Sequence, residues 1–299
     1  MCVGNFLIKE KKMDFLITLV NGLSLGGIYA MIALGYTMVY GIAKMLNFAH
    51  GDIIMVGGYT ILLFIPVNPV LAIVAAIVFC VIVGVTIERF AYKPLRGASP
   101  LAVLITAIGV STLLQSLAQV IFGSAPKIQQ INLGALQLGQ LKIEISTIIT
   151  LVCSVIVMVA LHLFVKYTKV GRAMVAVSED KGAAQLMGIN VNFIIMITFA
   201  IGSALAALAG LFYFLKVQTM TTTFGALPGI KAFTAAVIGG IGSIPGAMVG
   251  GLLLGVVESI CLSIPAISAY TDAIEFSILI IILLVKPTGL LGKKRREKV

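Results

Sequence analysis

Uncharged stretches about twenty residues long are the feature that most restricts this chain. Pro69 to Ile87 holds no charged residue, and Phe193 to Leu215 is alike. An α-helix needs ~20 apolar residues to cross ~30 Å of hydrocarbon, where it satisfies its own backbone polar groups. Charged residues are 11% of the chain and hydrophobic residues 60%, against about 25% charged in soluble domains. A water-soluble core is therefore excluded. The expected fold class is all-α: a polytopic membrane protein with eight or nine transmembrane or half-spanning helices.

Candidate spans are 15–42, 52–65, 69–88, 100–122, 145–166, 193–216, 229–244, 246–262 and 273–286, several of them short for a full crossing. No polar stretch is long enough to fold separately, so residues 13–290 read as one membrane domain. Residues 1–12 form an N-terminal tail. It reads either as a short cationic anchor or as sequence upstream of a true start at Met13. Residues 291–299 form a basic tail.

The formal net charge is +10. Its placement points to membrane topology and not to nucleic acid. Arg89, Lys93 and Arg96 share one loop, and Lys166, Lys169, Arg172 and Lys181 share the loop 166–192. Lys286, Lys293, Lys294, Arg295, Arg296 and Lys298 crowd the C-terminus. The positive-inside rule makes these three segments cytoplasmic. Nine full spans would put the N-terminus outside and eight inside. Lys9, Lys11 and Lys12 argue for inside, which would make one early segment re-entrant.

Enzyme chemistry finds little support. No GxxxxGK[ST] phosphate loop occurs, and GLLGKK at Gly289–Lys294 lacks the spacing and the hydroxyl. His50 and His162 are the only histidines, and no HExxH or GxSxG motif is present. Cys80, Cys153 and Cys261 sit in apolar segments, and with Cys2 they form no CxxC pair. They read as small hydrophobes, not metal ligands. We expect no catalytic residue, no metal and no cofactor on this chain.

Two stretches interrupt the apolar runs: LNFAHGDIIMVGG, Leu46–Gly58, and GGIGSIPGAMVGG, Gly239–Gly251. Irregular backbone survives in a membrane only inside protein or beside a water-filled cavity. Paired Gly/Pro-broken segments in two halves point to a transport path built from an internal repeat. Close packing through small residues is the competing reading, and Gly250, Gly251 and Gly255 suit it. The candidate path residues are Asn47, His50, Asp52, Lys231, Gly239, Gly240, Gly242 and Glu258. Ionisable groups within spans are costly, so Asp52, Lys231 and Glu258 carry most weight. For Glu88, Arg89 and Lys216 a side chain snorkelling to the interface is the stronger reading. The loop 123–143 alternates weakly around Gly134 and Gly139, as a hairpin or an extended lid would.

One polar stretch remains: SEDKGAAQLMGIN, Ser178–Asn190. Ser178 suits an N-cap, and Glu179 and Asp180 would place negative charge on the first turn. Ala183, Ala184 and Met187 favour helix, and Gly188 suits a C-terminal stop. The expected helix is roughly 13–15 Å long, too short to cross. A helix lying on the membrane surface is the plainer alternative.

The chain resembles permease subunits of bacterial ATP-binding-cassette importers for branched-chain amino acids, the LivH type. NGLSLGGIYAMIALGYTMVYGIAKMLNFAHGD, AVSEDKGAAQLMGINV and PGIKAFTAAVIGGIGSIPGAMVGGLLLGVVES carry the resemblance. It implies that the Ser178–Asn190 helix docks into an ATPase through an EAA---G pattern. Ala183, Ala184 and Gly188 match that pattern, while Gly182 stands where it has Glu. It also implies two cytoplasmic ATPase subunits binding ATP and magnesium, a second related permease, an extracytoplasmic solute-binding protein and residence in the bacterial inner membrane. Urea, short amides and other amino acids are alternative solutes. A stand-alone channel or carrier is the rival class, and it has no need of a docking helix.

Overall fold

Four of the apolar helices start by the same device. The side chains of Asn68, Ser99, Asn190 and Ser243 each accept a hydrogen bond from a backbone N–H two or three residues on. This satisfies donors that the first turn leaves unpaired. The computed structural model describes the backbone of residues 2–138 and 141–292 and the side chains of 14–137 and 143–292. The basic residues 293–299 and the charged side chains of residues 1–12 lie outside it.

The helices are α1 (Cys2–Ala43), α2 (His50–Phe64), α3 (Pro69–Ile87), α4 (Pro100–Phe122), α5 (Ile145–Tyr167), α6 (Lys169–Glu179), α7 (Lys181–Leu186), α8 (Val191–Val217), α9 (Ala226–Gly239), α10 (Ile244–Ser263) and α11 (Thr271–Val285). A π turn at Glu88–Tyr92 and a 3-10 turn at Lys93–Leu95 prolong α3. Among the described residues seven helices are long and apolar enough to cross a membrane, beginning with Asp14–Ala43 of α1. The apolar helices α2 and α9 have 15 and 14 residues, about 22 Å at about 1.5 Å per residue, short of a ~30 Å crossing. Nine apolar helices result among the described residues, within the eight or nine expected. The hairpin expected near Gly134 is also present: β2 (Ala135–Leu138) pairs antiparallel with β3 (Leu141–Glu144). A second ladder joins β1 (Lys127–Ile128) to β4 (Thr219–Met220).

These ladders mark one face of the protein and α7 marks the other. Lys181 Nζ, on α7, donates to Ala43 O at the end of α1 at 2.8 Å. Arg96, after α3, bonds Asn192 at the start of α8. The tail reaches the same face, where Leu290 and Leu291 N donate to Ile238 and Gly239 O, unpaired carbonyls at the end of α9. The basic loops at 89–96 and 166–192 therefore share the α7 face with the described residues 286–292. The start of the apolar part of α1 lies on the ladder face, since Ser259 Oγ, near the end of α10, donates to Thr18 O. The described part of α1 thus starts on the face away from the basic loops, as the nine-span alternative has it and the lysine argument does not.

An inverted repeat organises the core. The triplets α1–α2–α3 and α8–α9–α10 are each long, short, long, and they run in opposite directions. Exchanging the triplets exchanges their contacts: α1 packs on α10 as α8 packs on α3, and α2 packs on α8 as α9 packs on α1. Among the described residues only Lys44 (φ 61°) and Gln218 (φ 55°) are non-glycines with positive φ, and they directly follow α1 and just terminate α8. Such a left-handed residue ends a helix and turns the chain. Each is followed by a non-helical segment, with β4 in the second, that leads into a short helix, α2 or α9.

Small residues let the triplets close. Gly22, Gly26 and Ala30 of α1 meet Val256, Leu252 and Gly251 of α10, and a Cβ on Gly26 would stand 2.7 Å from Leu252 Cα. Gly251 and Gly255 thus follow the packing reading, in the manner of small-xxx-small helix pairs.

Candidate functional site

The two short helices begin against one another. A Cβ on Gly51 would lie 2.6 Å from Gly225 O, and one on Gly229 would lie 3.1 Å from Gly51 Cα. Neither α2 nor α9 has a side-chain cap. A recess of about 150 Å³ opens beside this crossing, a size that accepts a benzene-sized molecule. Its apolar wall includes Tyr36, Phe48 and Ile230, and its polar wall is Asp52, Ser111 and Gln115.

Asp52 sits in the first turn of α2, where the helix dipole favours a carboxylate. It is 3% exposed. Gln115 Nε2 donates to Asp52 Oδ1 at 2.8 Å and to Ser111 Oγ at 3.3 Å. Ser111 and Gln115 lie four residues apart on one face of α4, a helix otherwise largely exposed. That polar pair in an apolar segment was the available sequence signal for this wall. Tyr36, Phe48 and Ile230 gave none, because aromatic and aliphatic residues are ordinary in spans.

Of the eight predicted path residues, Asp52 alone lines the recess. Asn47 and His50 brace it from behind. Tyr92 Oη donates to Asn47 Oδ1 at 2.8 Å, and the His50 ring packs edge-on against Tyr36 at 4.7 Å. Gly239, Gly240 and Gly242 belong to the α7 face instead. Gly240 and Gly242 take φ of +107° and +92° to turn the chain into α10, and Gly240 packs against Gly292.

Lys231 and Glu258 form a separate buried cluster. Lys231 Nζ stands 2.9 Å from Glu258 Oε1, 2.8 Å from Asp272 Oδ1 and 3.2 Å from Glu275 Oε2. Tyr29 Oη donates to Glu258 Oε2 at 2.6 Å. Four helices, α1, α9, α10 and α11, are joined there. Glu275, which the sequence reading did not single out, is 0% exposed. Glu88 also departs from the snorkelling reading. It is buried and paired with Arg96, while Arg89 and Lys216 are exposed. His162 is half-buried on α5.

The polar stretch is two helices, not one. Ser178 lies in the last turn of α6, its Oγ donating to Val175 O at 2.7 Å. Asp180 is the N-cap of α7, extended at φ −152° and ψ 113°, and its carboxylate accepts from Ala183 N at 3.0 Å. A cap needs extended backbone, and at the junction of α6 and α7 Asp180 supplies it with an acceptor of the right reach. Glu179 ends α6. The helix α7 has six residues, about 9 Å at about 1.5 Å per residue, shorter than the 13–15 Å expected. Gly188, at φ +82°, closes it with Ile189 N donating to Ala184 O at 3.0 Å. Ala184 is buried, whereas Leu186 and Met187 are 90% and 82% exposed. Burial lowers the Lys181 ammonium below the usual lysine range, and the nearby Arg96 adds to this. Replacing Asp180 with alanine should weaken α7 by roughly 1 kcal/mol. Faster hydrogen exchange at the Ala183 amide would show it, with the apolar helices unaffected.

A family model described as branched-chain amino acid transport system / permease component matches residues 18–283. The chain belongs to this permease family. A relative from Pseudomonas aeruginosa, the high-affinity branched-chain amino acid transport system permease protein BraD, is 43% identical over 95% of this permease and 98% of its own length. The corresponding protein LivH of Escherichia coli K12 is 42% identical over 98% of this permease and 100% of its own length. Among solved structures, PsaBC from Streptococcus pneumoniae in complex with Fab superposes with a TM-score of 0.50 at 18% identity. It covers 96% of the permease and 97% of that chain, and it supports the shared helical architecture alone. Family membership makes this a multi-pass membrane transport subunit, in agreement with its seven long apolar helices.

Proposed function

We propose that this permease moves branched-chain amino acids inward across the bacterial inner membrane, driven by ATP hydrolysis on separate subunits. Near-full-length identity to BraD and LivH carries the solute assignment. Two cytoplasmic ATPases, a second permease chain and an external binding protein complete the assembly. The α7 face, with its two basic loops, is cytoplasmic under the positive-inside rule, and the basic tail follows from the same side.

The exposed pair Leu186 and Met187 gives α7 an apolar tip on that face, suited to an ATPase groove. Lys181 ties α7 to the end of α1. The left-handed Lys44 follows, and six residues later the chain enters α2 at His50 and reaches Asp52. Closure of the ATPases would thus shift α7, the end of α1 and the start of α2 together, reshaping the recess by rigid-body motion.

Substituting aspartate for both Leu186 and Met187 tests this coupling. Neither side chain is buried, so the isolated permease should melt unchanged. Co-purification of the ATPase and ATP-dependent leucine uptake should both fall about tenfold or more. Undiminished uptake would remove α7 from the coupling role.

A further inference from the structure

We infer that the recess beside Asp52 holds one α-amino acid as its zwitterion, with the ammonium on Asp52, Ser111 and Gln115, the carboxylate toward the start of α9 at Ala226, and the side chain against Tyr36, Phe48 and Ile230. This rests on the amino-acid reading above and gives that reading a place and an orientation.

The inverted repeat makes the two ends of the recess comparable and shows how they differ. By position, Asp52 of α2 corresponds to Pro228 of α9, each the third residue of its helix. The start of α2 therefore carries its own carboxylate, while the first turn of α9 has no acid and no side-chain cap. One end of the recess is an acid already steadied by a dipole. The other is a helix start whose dipole favours an anion, although Ala226 N is bonded to Thr223 O and Pro228 has no N–H. An acid and no base lines the recess, so a net anion is disfavoured. A neutral polyol would find one amide and the hydroxyls of Ser111 and Tyr36, but it would leave the buried acid without a counter-charge. A zwitterion satisfies both ends, and the aromatic and aliphatic wall between them takes an apolar side chain. Short helices whose starts meet at a repeat interface are the general setting for such sites. The volume of about 150 Å³ restricts the solute to a small one.

The test uses the complete importer in proteoliposomes, reading leucine uptake and binding-protein-stimulated ATP hydrolysis together. With Asp52→Asn, uptake per ATP should fall about tenfold or more while stimulated hydrolysis persists, because a charge-assisted contact is lost inside a buried site. Asp52→Glu should restore part of it. A second readout needs no transport. With the four native cysteines replaced by serine, Ser111→Cys in the permease–ATPase complex is labelled with a small methanethiosulfonate. Leucine should slow labelling several-fold, and 4-methylpentanoate and 3-methylbutylamine, which lack one charged end each, should slow it less. Wild-type uptake per ATP in Asp52→Asn, or equal labelling with and without leucine, overturns the assignment. Failure of the importer reading is a different result: no ATP-dependent leucine uptake by the wild type, with leucine protection of Ser111→Cys still upholding the site.

Discussion

Replacing Lys231 with methionine is expected to destabilise the permease by roughly 3–5 kcal/mol, the range for removing one partner of a buried ion pair. That is a large part of the about 5–15 kcal/mol that holds a typical fold together. The cause is what remains behind. Lys231 faces Glu258, Asp272 and Glu275 within 3.2 Å, and Glu275 is wholly buried. The Asp272 side chain is 55% exposed and keeps much of its hydration, so its pair with Lys231 counts for less. Methionine matches the length of the lysine stem, which makes lost charge the main change. The purified protein should melt several degrees lower and accumulate poorly. Adding Glu258→Gln and Glu275→Gln to Lys231→Met should recover most of the loss. A single variant that melts like wild type would show that the cluster is not an ion pair in the folded protein. The cluster joins four helices far apart in sequence, which is why one substitution should act on the whole bundle.

Gly255→Leu should do comparable damage by shape alone. A Cβ there overlaps Gly26 N and Cα and stands 2.7 Å from Gly22 O. Backbone atoms of α1 cannot rotate aside, so α1 and α10 must separate. Overpacking a tight core costs about 1–3 kcal/mol when side chains can adjust, and here they cannot. We expect loss of a monodisperse species in size-exclusion chromatography. Gly97→Leu is the control, since a Cβ on Gly97 meets nothing within 4 Å. If both variants run alike, the α1–α10 contact is not what the small residues serve.

The sequence by itself determined the class of fold and bounded the apolar helices at eight or nine. Helix length against bilayer thickness is a local property, and so is the rarity of charge. It also located the polar stretch, because thirteen residues of that character cannot enter hydrocarbon. The internal ends of that stretch were not legible. Ser178 and Asp180 are both good caps in isolation, and only the turn between α6 and α7 makes Asp180 extended. The side of the N-terminus stayed open in the sequence, because the charge bias of its lysines competes with the parity of nine crossings.

What only the tertiary structure decided is which polar residues meet. Asp52 and Gln115 are 63 positions apart, and Lys231 and Glu258 are 27 apart. Sequence marks each as costly in a membrane but cannot say that the first pair lines a recess and the second locks four helices. That division follows from the inverted repeat, which crosses the starts of α2 and α9 and leaves Asp52 on one side and Lys231 on another. Periodicity reads the face of one helix; a site at the crossing of two depends on how separate helices pack.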